Sequence, residues 1–131
     1  MRLKGSCKCG SVTYSVNSRT PYPYMRCYCS ICRKTAGSGG YAINLMGEAN
    51  SLEVRDPGRK MRFFNAVIDG QKSQAERHFC ENCGSSMWLW DPRWPELIHP
   101  HASSVDTPLP APPQTVHMML KDKPAWVQVP E

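Results

Sequence analysis

Seven cysteines, grouped into three short clusters, constrain this 131-residue chain more than any other feature of its sequence. The clusters are CKCG at 7–10, CYCSIC at 27–32 and CENCG at 80–84. Because seven is an odd number, the cysteines cannot all pair within one chain, and such spacings are more typical of metal sites than of disulfides. The sequence therefore predicts metal binding, with a secreted disulfide-stabilised domain as the less favoured alternative.

The first and last clusters share a pattern in which a close pair of cysteines is followed by glycine and then serine. Two thiolates at that spacing can bind one metal ion from a tight turn, and glycine supplies the backbone conformation that other residues resist. Two such pairs complete a closed tetrahedral site, which would join the first strand to a late hairpin and support a modest core. Buried cysteines without metal are the alternative. The expected ligands of this structural zinc are Cys7, Cys9, Cys80 and Cys83.

The middle cluster supplies the three remaining cysteines, Cys27, Cys29 and Cys32. A catalytic zinc site is built from three protein ligands and one open position, and a thiolate-rich zinc suits a thiol substrate. We therefore expect a second, catalytic zinc whose fourth ligand is water or substrate. Flanking basic residues could offset the negative charge of the cluster and bind an anionic substrate, or be ordinary surface charges. These residues are Arg26, Arg33 and Lys34.

A histidine that closes the second site is the alternative to an open position, because three cysteines and one histidine form a common structural set. Such a closed site would favour a role other than catalysis. The candidate histidines are His78, His99, His101 and His117.

The rest of the chain predicts one small, mainly β domain over residues 1–131, antiparallel and zinc-stabilised, with little helix. Apolar residues make up 40% of the chain and charged residues 21%, which is a globular composition. A short helical turn is expected near residue 34, and the proline-rich segment 106–114 is expected to be an extended arm. Segment 96–105 has an ambiguous pattern. Strands are expected at 12–16, 41–45, 51–55, 61–67, 73–79, 86–90 and 115–120.

The formal charge of +5 invites a nucleic-acid partner, but the basic residues are scattered. Seven thiolates add seven negative charges and two zinc ions four positive ones, so the loaded chain would carry +2. No apolar run approaches the roughly 20 residues of a membrane span, and no secretory signal precedes the first cysteine pair. We therefore expect a cytoplasmic protein without membrane or nucleic-acid partners, and the oligomeric state stays open.

The succession of GSCKCGSVTYSV, CYCSICRKTAG and HFCENCG resembles the glutathione-dependent formaldehyde-activating enzyme family, whose domain also occurs in centromere protein V. The resemblance covers roughly residues 3–120. It implies the Mss4-like fold, a structural zinc at the outer two clusters and catalysis at a second zinc in the middle cluster. The family's activity is carbon–sulfur bond chemistry, in which glutathione and formaldehyde combine into S-hydroxymethylglutathione.

Two positions of the middle cluster depart from the resemblance, because Arg26 and Tyr28 stand where the family frequently has histidine. Proton transfer would then depend on water or on Tyr28, so we expect weak activity with glutathione and formaldehyde and a preference for another small thiol adduct. The glycine-rich segment 37–40 and a tryptophan segment are expected to border the open zinc, with core packing as the alternative role of the tryptophans. These tryptophans are Trp88, Trp90 and Trp94.

The function predicted from the sequence is that of a zinc-dependent carbon–sulfur lyase-like enzyme. Its substrate would be a small thiol or a thiol–aldehyde adduct. The alternatives are a zinc-stabilised binding module for protein or nucleic acid, and a sensor of thiols or zinc.

Overall fold

The computed structural model describes residues 1–129, which form thirteen strands and one α-helix, with three short 3-10 turns between them. The mainly β domain with little helix that the sequence predicts is confirmed. The helix, α1, is Ser30–Ala36, and the 3-10 turns are Ala49–Ser51, Ala102–Ser104 and Leu120–Asp122. The strands are β1 (Arg2–Ser6), β2 (Thr13–Asn17), β3 (Tyr24–Cys27), β4 (Ala42–Asn44), β5 (Gly47–Glu48), β6 (Glu53–Arg55), β7 (Met61–Phe64), β8 (Val67–Ile68), β9 (Gln71–Lys72), β10 (Glu76–Cys80), β11 (Ser86–Trp90), β12 (Leu97–Pro100) and β13 (Thr115–Met118).

The largest sheet has five strands in the order β5-β12-β11-β10-β7, and all its neighbours are antiparallel. Two three-stranded sheets have the orders β1-β2-β6 and β13-β3-β4, and β8 and β9 form a hairpin. The pairing of β13 with β3 is parallel, an exception within the mainly antiparallel pattern that the sequence predicts. Through this pairing a late segment of the chain lies beside the strand that leads into the middle cysteine cluster.

The segment that the sequence left ambiguous contains β12 and the turn at Ala102–Ser104. The proline-rich residues 106–114 form neither helix nor strand, yet hydrogen bonds tie them to the sheets. Ser6 donates to Asp106 at 2.6 Å, and the Tyr24 hydroxyl donates to the Pro110 carbonyl at 2.6 Å. None of the helices described is long and apolar enough to cross a membrane.

The main core lies between the first sheet and the five-stranded sheet. Tyr14 meets Trp88 edge to face, with ring centroids 5.1 Å apart and planes inclined by 67°. Two cysteines, one from each outer cluster, belong to the same core. Its buried members are Leu3, Cys7, Val12, Tyr14, Val16, Tyr24, Leu45, Cys80, Met87, Trp88 and Ile98.

A buried hydroxyl pair links this core to the 3-10 turn after β12. Tyr14 Oη lies 2.7 Å from Ser104 Oγ, and burial raises the pKa of Tyr14 to about 12. Ser104 donates its single hydroxyl proton to a backbone carbonyl, with those of His101 at 2.9 Å and Met87 at 3.0 Å in reach. Tyr14 is therefore the donor in the pair, and Ser104 both donates and accepts.

Replacing Ser104 with alanine should destabilise the fold more than replacing Tyr14 with phenylalanine. Ser104→Ala strands the buried Tyr14 hydroxyl without an acceptor, which costs about 1–3 kcal/mol, whereas Tyr14→Phe removes one hydrogen bond worth about 1 kcal/mol. Denaturant unfolding of both variants measures the difference. Ser103→Ala, at the exposed neighbouring position, should stay within about 0.5 kcal/mol of the parent. An equal loss in all three variants would contradict the assignment.

Candidate metal centres

The two outer cysteine clusters converge on one point, as their shared pattern predicts. Cys7, Cys9, Cys80 and Cys83 place four sulfur atoms within 4.8 Å of one another. Cys9 Sγ lies 3.6 Å from Cys7 Sγ and 3.9 Å from Cys80 Sγ. Zinc–sulfur bonds of about 2.3 Å in a tetrahedron set sulfur atoms about 3.8 Å apart, so this set fits a zinc ion.

Both pairs sit on tight turns that end in a glycine with left-handed backbone. Gly10 has φ 79° and Gly84 has φ 78°, values that favour glycine over residues with a Cβ. The Val12 N–H donates to Cys7 Sγ at 3.3 Å, and the Gly84 N–H donates to the Cys80 carbonyl at 2.7 Å. A bond from the Lys8 N–H to Ser85 Oγ at 2.9 Å joins the two turns directly.

Hydrogen bonds in these turns favour the thiolate form of the two exposed cysteines. Bonds from Asn82 and Ser11 lower the pKa of Cys9 to about 5, and a bond from Ser85 lowers that of Cys83 to about 7. Burial instead raises the pKa of Cys80 to about 11. The turns thus prepare part of the ligand set for a cation, and the buried thiol needs the cation itself to lose its proton.

The three cysteines of the middle cluster also converge, at the end of β3 and the start of α1. Their sulfur atoms lie within 4.8 Å of one another, and Cys27 Sγ is 3.4 Å from Cys29 Sγ. Cys27 and Cys32 are buried, whereas Cys29 is half-buried. The three sulfurs can therefore hold one metal ion, with Cys29 as the most accessible ligand.

Among residues 1–129, no histidine joins this group of three sulfurs. Each of the four histidines has another hydrogen-bond partner, so the expected alternative of a histidine-closed site is not supported. The partners are Glu76 for His78, the Leu45 carbonyl for His99, Asn44 for His101 and Tyr28 for His117.

The neighbouring thiols, and to a lesser degree the helix start, determine the electrostatics of Cys29. Its sulfur is the N-cap of α1 and accepts the Cys32 N–H at 3.3 Å. Hydrogen bonds from the Cys27 and Cys32 thiols, with help from the Arg77 charge, lower the pKa of Cys29 to about 2, whereas the same contacts raise the pKa of Cys27. Within the cluster, the contacts favour the thiolate form at Cys29 and the thiol form at Cys27.

Arg77 is a site residue that the motif spacing did not reveal. It lies on β10, is 8% exposed, and donates from Nη1 to Cys32 Sγ at 3.5 Å. The ion pairs formed within the described part of the chain give it no carboxylate partner. A buried charge needs a counter-charge, so the thiolates of the middle cluster are its electrostatic partner.

The three flanking basic residues occupy different environments. The Arg26 guanidinium lies 4.7 Å from the centre of the Tyr41 ring, in a cation–π arrangement. Arg33 is half-buried, and its Nε has no hydrogen-bond partner among the described residues, while Lys34 is exposed. Of the three, Arg33 alone has a fully buried donor atom, Nε, without a hydrogen-bond partner in the described chain.

The parallel pairing of β13 brings an imidazole to a neighbour of the cluster that sequence reasoning treated as lacking one. His117 Nδ1 lies 2.7 Å from the hydroxyl of Tyr28, the residue between Cys27 and Cys29. The two rings stack, with their centroids 5.8 Å apart. This correction depends on a contact between residues 89 positions apart, for which no local sequence signal exists.

His101 lies beside Arg77 in the same buried region. Its Nδ1 is 3.0 Å from the Asn44 amide oxygen, which assigns the ring proton to Nδ1 and leaves the buried Nε2 without a partner in the described chain. Burial, with the charges of Arg77 and His99, lowers the pKa of His101 to about 4. The imidazole is therefore neutral at pH 7.

Contrary to expectation, the tryptophan segment does not border the middle cluster. Trp88 pairs with His78 in the sheet, so the two side chains lie on the same face. His78 follows Arg77 directly, and consecutive residues of a strand point to opposite faces. Because Arg77 contacts Cys32, Trp88 lies on the other face. Trp94 is 53% exposed. Gly40 instead packs against Val127 and Trp126 of the C-terminal segment.

Serine substitutions in the two clusters should have unequal effects. Cys80→Ser should lose both metal and fold, because its cluster joins segments distant in sequence and lies in the main core. Cys29→Ser should lose one metal ion and leave the fold largely intact, because its cluster is local. Metal analysis and circular dichroism of the two matched variants measure this, and equal collapse would show that both clusters are structural.

Acid should destabilise the fold partly through His101. Its pKa is about 4 in the folded state and about 6.5 when unfolded, so the unfolded chain takes up a proton first. Stability should therefore fall from pH 6.5 towards pH 4, by about 3 kcal/mol at most, and this component should be absent in His101→Gln. Parallel pH series of denaturant unfolding isolate it, because acid-driven metal loss affects both proteins. Identical slopes would refute the assignment.

Comparisons with known proteins agree with this geometry. A sequence model of the family described as glutathione-dependent formaldehyde-activating enzyme matches residues 2–122. A Halomonas elongata protein, provisionally named glutathione-dependent formaldehyde-activating enzyme, is 57% identical over 129 residues, which are 98% of this chain and 82% of that protein. The crystal structure of a Rhodobacter sphaeroides protein shares the fold, with a TM-score of 0.67, 23% identity, and coverage of 88% of this chain and 98% of that one. The chain belongs to the glutathione-dependent formaldehyde-activating enzyme family.

Proposed function

We propose that this protein is a zinc-dependent carbon–sulfur lyase that joins a small thiol to an aldehyde and cleaves the adduct. The observation that carries the proposal is the group of three sulfur atoms, Cys27, Cys29 and Cys32, with no fourth protein ligand in the described chain. Family membership and the name of the Halomonas elongata relative support glutathione and formaldehyde as the thiol and the aldehyde.

The two clusters would hold one zinc ion each and differ in what they leave open. Four cysteines close the outer site, which suits a structural role, whereas three leave room for a further ligand. A zinc ion bound by the three cysteines would supply one thing, a lowered pKa for a thiol at its open position. The residues of the chain would bind the substrate and stabilise the charge that forms in the reaction.

Arg77 is the residue best placed to stabilise charge during carbon–sulfur bond formation. One arm of its guanidinium donates to Cys32 Sγ, while Nε and Nη2 make no hydrogen bond with the described residues. When the thiolate sulfur attacks the carbonyl carbon, the electrons of the C=O double bond move to oxygen, and the resulting alkoxide takes a proton from water. Free N–H donors near the cluster would stabilise that alkoxide.

An anionic thiol also needs cations at some distance from its sulfur. Glutathione has two carboxylates and one amine, so it is net negative at neutral pH. We assign its binding to Arg26, Arg33 and Lys34, with Arg33 first because it has an unused donor. Family membership and the name of the Halomonas elongata relative favour this thiol, and we propose that the His117 imidazole, bonded to Tyr28, compensates for the histidines absent from the motif. Glutathione and formaldehyde are therefore the first substrates to test.

Zinc-loaded protein should accelerate the exchange between glutathione, formaldehyde and S-hydroxymethylglutathione well beyond the spontaneous rate. Exchange NMR measures this directly. Cys29→Ser should abolish the acceleration. Arg77→Met should lower it about 100-fold, as expected when an alkoxide-stabilising donor is lost. Arg62→Met is the matched control, because Arg62 is exposed and paired with Glu81, and it should leave the rate unchanged.

Metal analysis of the same samples separates catalysis from metal retention. If Arg77→Met keeps its metal and loses the rate, Arg77 acts on the substrate. If it loses the metal, Arg77 serves only as the counter-charge of the cluster. No acceleration by the zinc-loaded parent protein with glutathione or other small thiols would refute the lyase proposal and favour a zinc-stabilised binding module.

A further inference from the structure

A cavity of about 1050 Å³ lies apart from both cysteine clusters. Its floor is formed by β5, β12, β11 and β10, four neighbouring strands of the five-stranded sheet. No cysteine lines it, and its volume lies at the upper end of the range for small-molecule sites. Residues on its floor include Glu76, His78, Trp88, Trp90 and Ile98.

This cavity opens on the face of the sheet opposite to the middle cluster. Arg77 contacts Cys32, while Glu76 and His78, its neighbours on β10, line the cavity. Alternate residues of a strand point to opposite faces. A ligand in the cavity would therefore not occupy the site of the proposed carbon–sulfur chemistry.

The aromatic surface of the cavity is held in place by contacts within the protein. His78 stacks on Trp88 with ring centroids 5.2 Å apart and planes inclined by 23°. Trp88 is fixed from behind by Tyr14, and the Trp90 indole N–H donates to the Pro95 carbonyl at 3.1 Å. Trp88 is 4% exposed and Trp90 is half-buried, so the accessible tryptophan surface of the cavity is that of Trp90. Aromatic ring faces attract cations through their negative charge density.

The charge of the lining is negative, although the chain as a whole carries +5. Three carboxylates, those of Glu48, Glu76 and Glu96, face a single cationic lining residue, Arg19. Arg19 is 92% exposed and pairs with Glu48 at 3.4 Å. The Glu76 side chain is 25% exposed, and its partner is His78 Nε2 at 3.1 Å, with no lysine or arginine pairing with it in the described chain.

We propose that this aromatic, acidic cavity binds a small organic cation, an ammonium group on an apolar or aromatic body. The apolar body would lie against the half-buried side chains of Trp90 and Leu97, because Trp88 and Ile98 are almost completely buried. The ammonium group would pair with Glu76. The same carboxylates disfavour an anionic thiol such as glutathione. The proposal is thus independent of the function proposed for the cysteine clusters.

The test compares two probes of similar shape and opposite charge, 2-phenylethylammonium and 3-phenylpropionate. NMR titration of the metal-loaded protein, followed at the tryptophan indole N–H signals, should show saturable binding of the ammonium and at least tenfold weaker binding of the carboxylate. Glu76→Gln keeps the size of the side chain and should weaken binding of the ammonium about tenfold. Glu81→Gln, which removes an exposed carboxylate outside the cavity, should leave it unchanged.

Three results would overturn the proposal. They are the absence of saturable ammonium binding, equal binding of the two probes, and equal effects of the two glutamine variants. Thermal unfolding of Glu76→Gln shows whether weaker binding by this variant results from loss of the folded structure. If that variant unfolds early, the probe comparison in the parent protein alone decides between the proposal and its rejection.

Discussion

The convergence of four sulfur atoms from two distant turns is the constraint on which the rest of the structure depends. Cys7 and Cys80 are buried in the main core, so the metal-binding turns and the apolar packing occupy the same place. The bond from the Lys8 N–H to Ser85 Oγ joins the two turns in addition to the convergence of their sulfur atoms. In a chain of this size a metal ion adds stability that a modest apolar core does not supply.

The second cluster is built on different principles. Its buried members form a small group of their own, Cys27, Cys32 and Ala42, separate from the main core. The Arg77 guanidinium packs against this second cluster, whereas the first cluster has apolar neighbours. The first arrangement excludes further ligands, whereas the second places unused hydrogen-bond donors beside sulfur. The proposed chemistry and the structural site would thus occupy separate parts of one fold.

Local sequence patterns were sufficient to predict both sulfur clusters, because each cysteine pair is a turn whose geometry its own residues determine. Gly10 and Gly84 adopt the left-handed conformation that the shared pattern requires. Arg77 and His117 could not be predicted, because both contacts join segments distant in sequence. Arg77 reaches Cys32 by packing of β10 against the start of α1, and His117 reaches Tyr28 through the pairing of β13 with β3. Core packing, the alternative role of the tryptophans, agrees with the burial of Trp88 in the main core. Their expected position beside the open zinc was wrong, since aromatic residues give no indication of which side of a strand meets a distant motif.

The unequal sequence spans of the two clusters also order their assembly during synthesis. Cys27, Cys29 and Cys32 are complete as a ligand set once the start of α1 has left the ribosome. Cys7 and Cys9 must wait for Cys80 and Cys83, most of the chain later. A nascent chain thus offers a three-thiol site long before its closed site exists, so metal uptake during synthesis would begin at the site of the proposed chemistry.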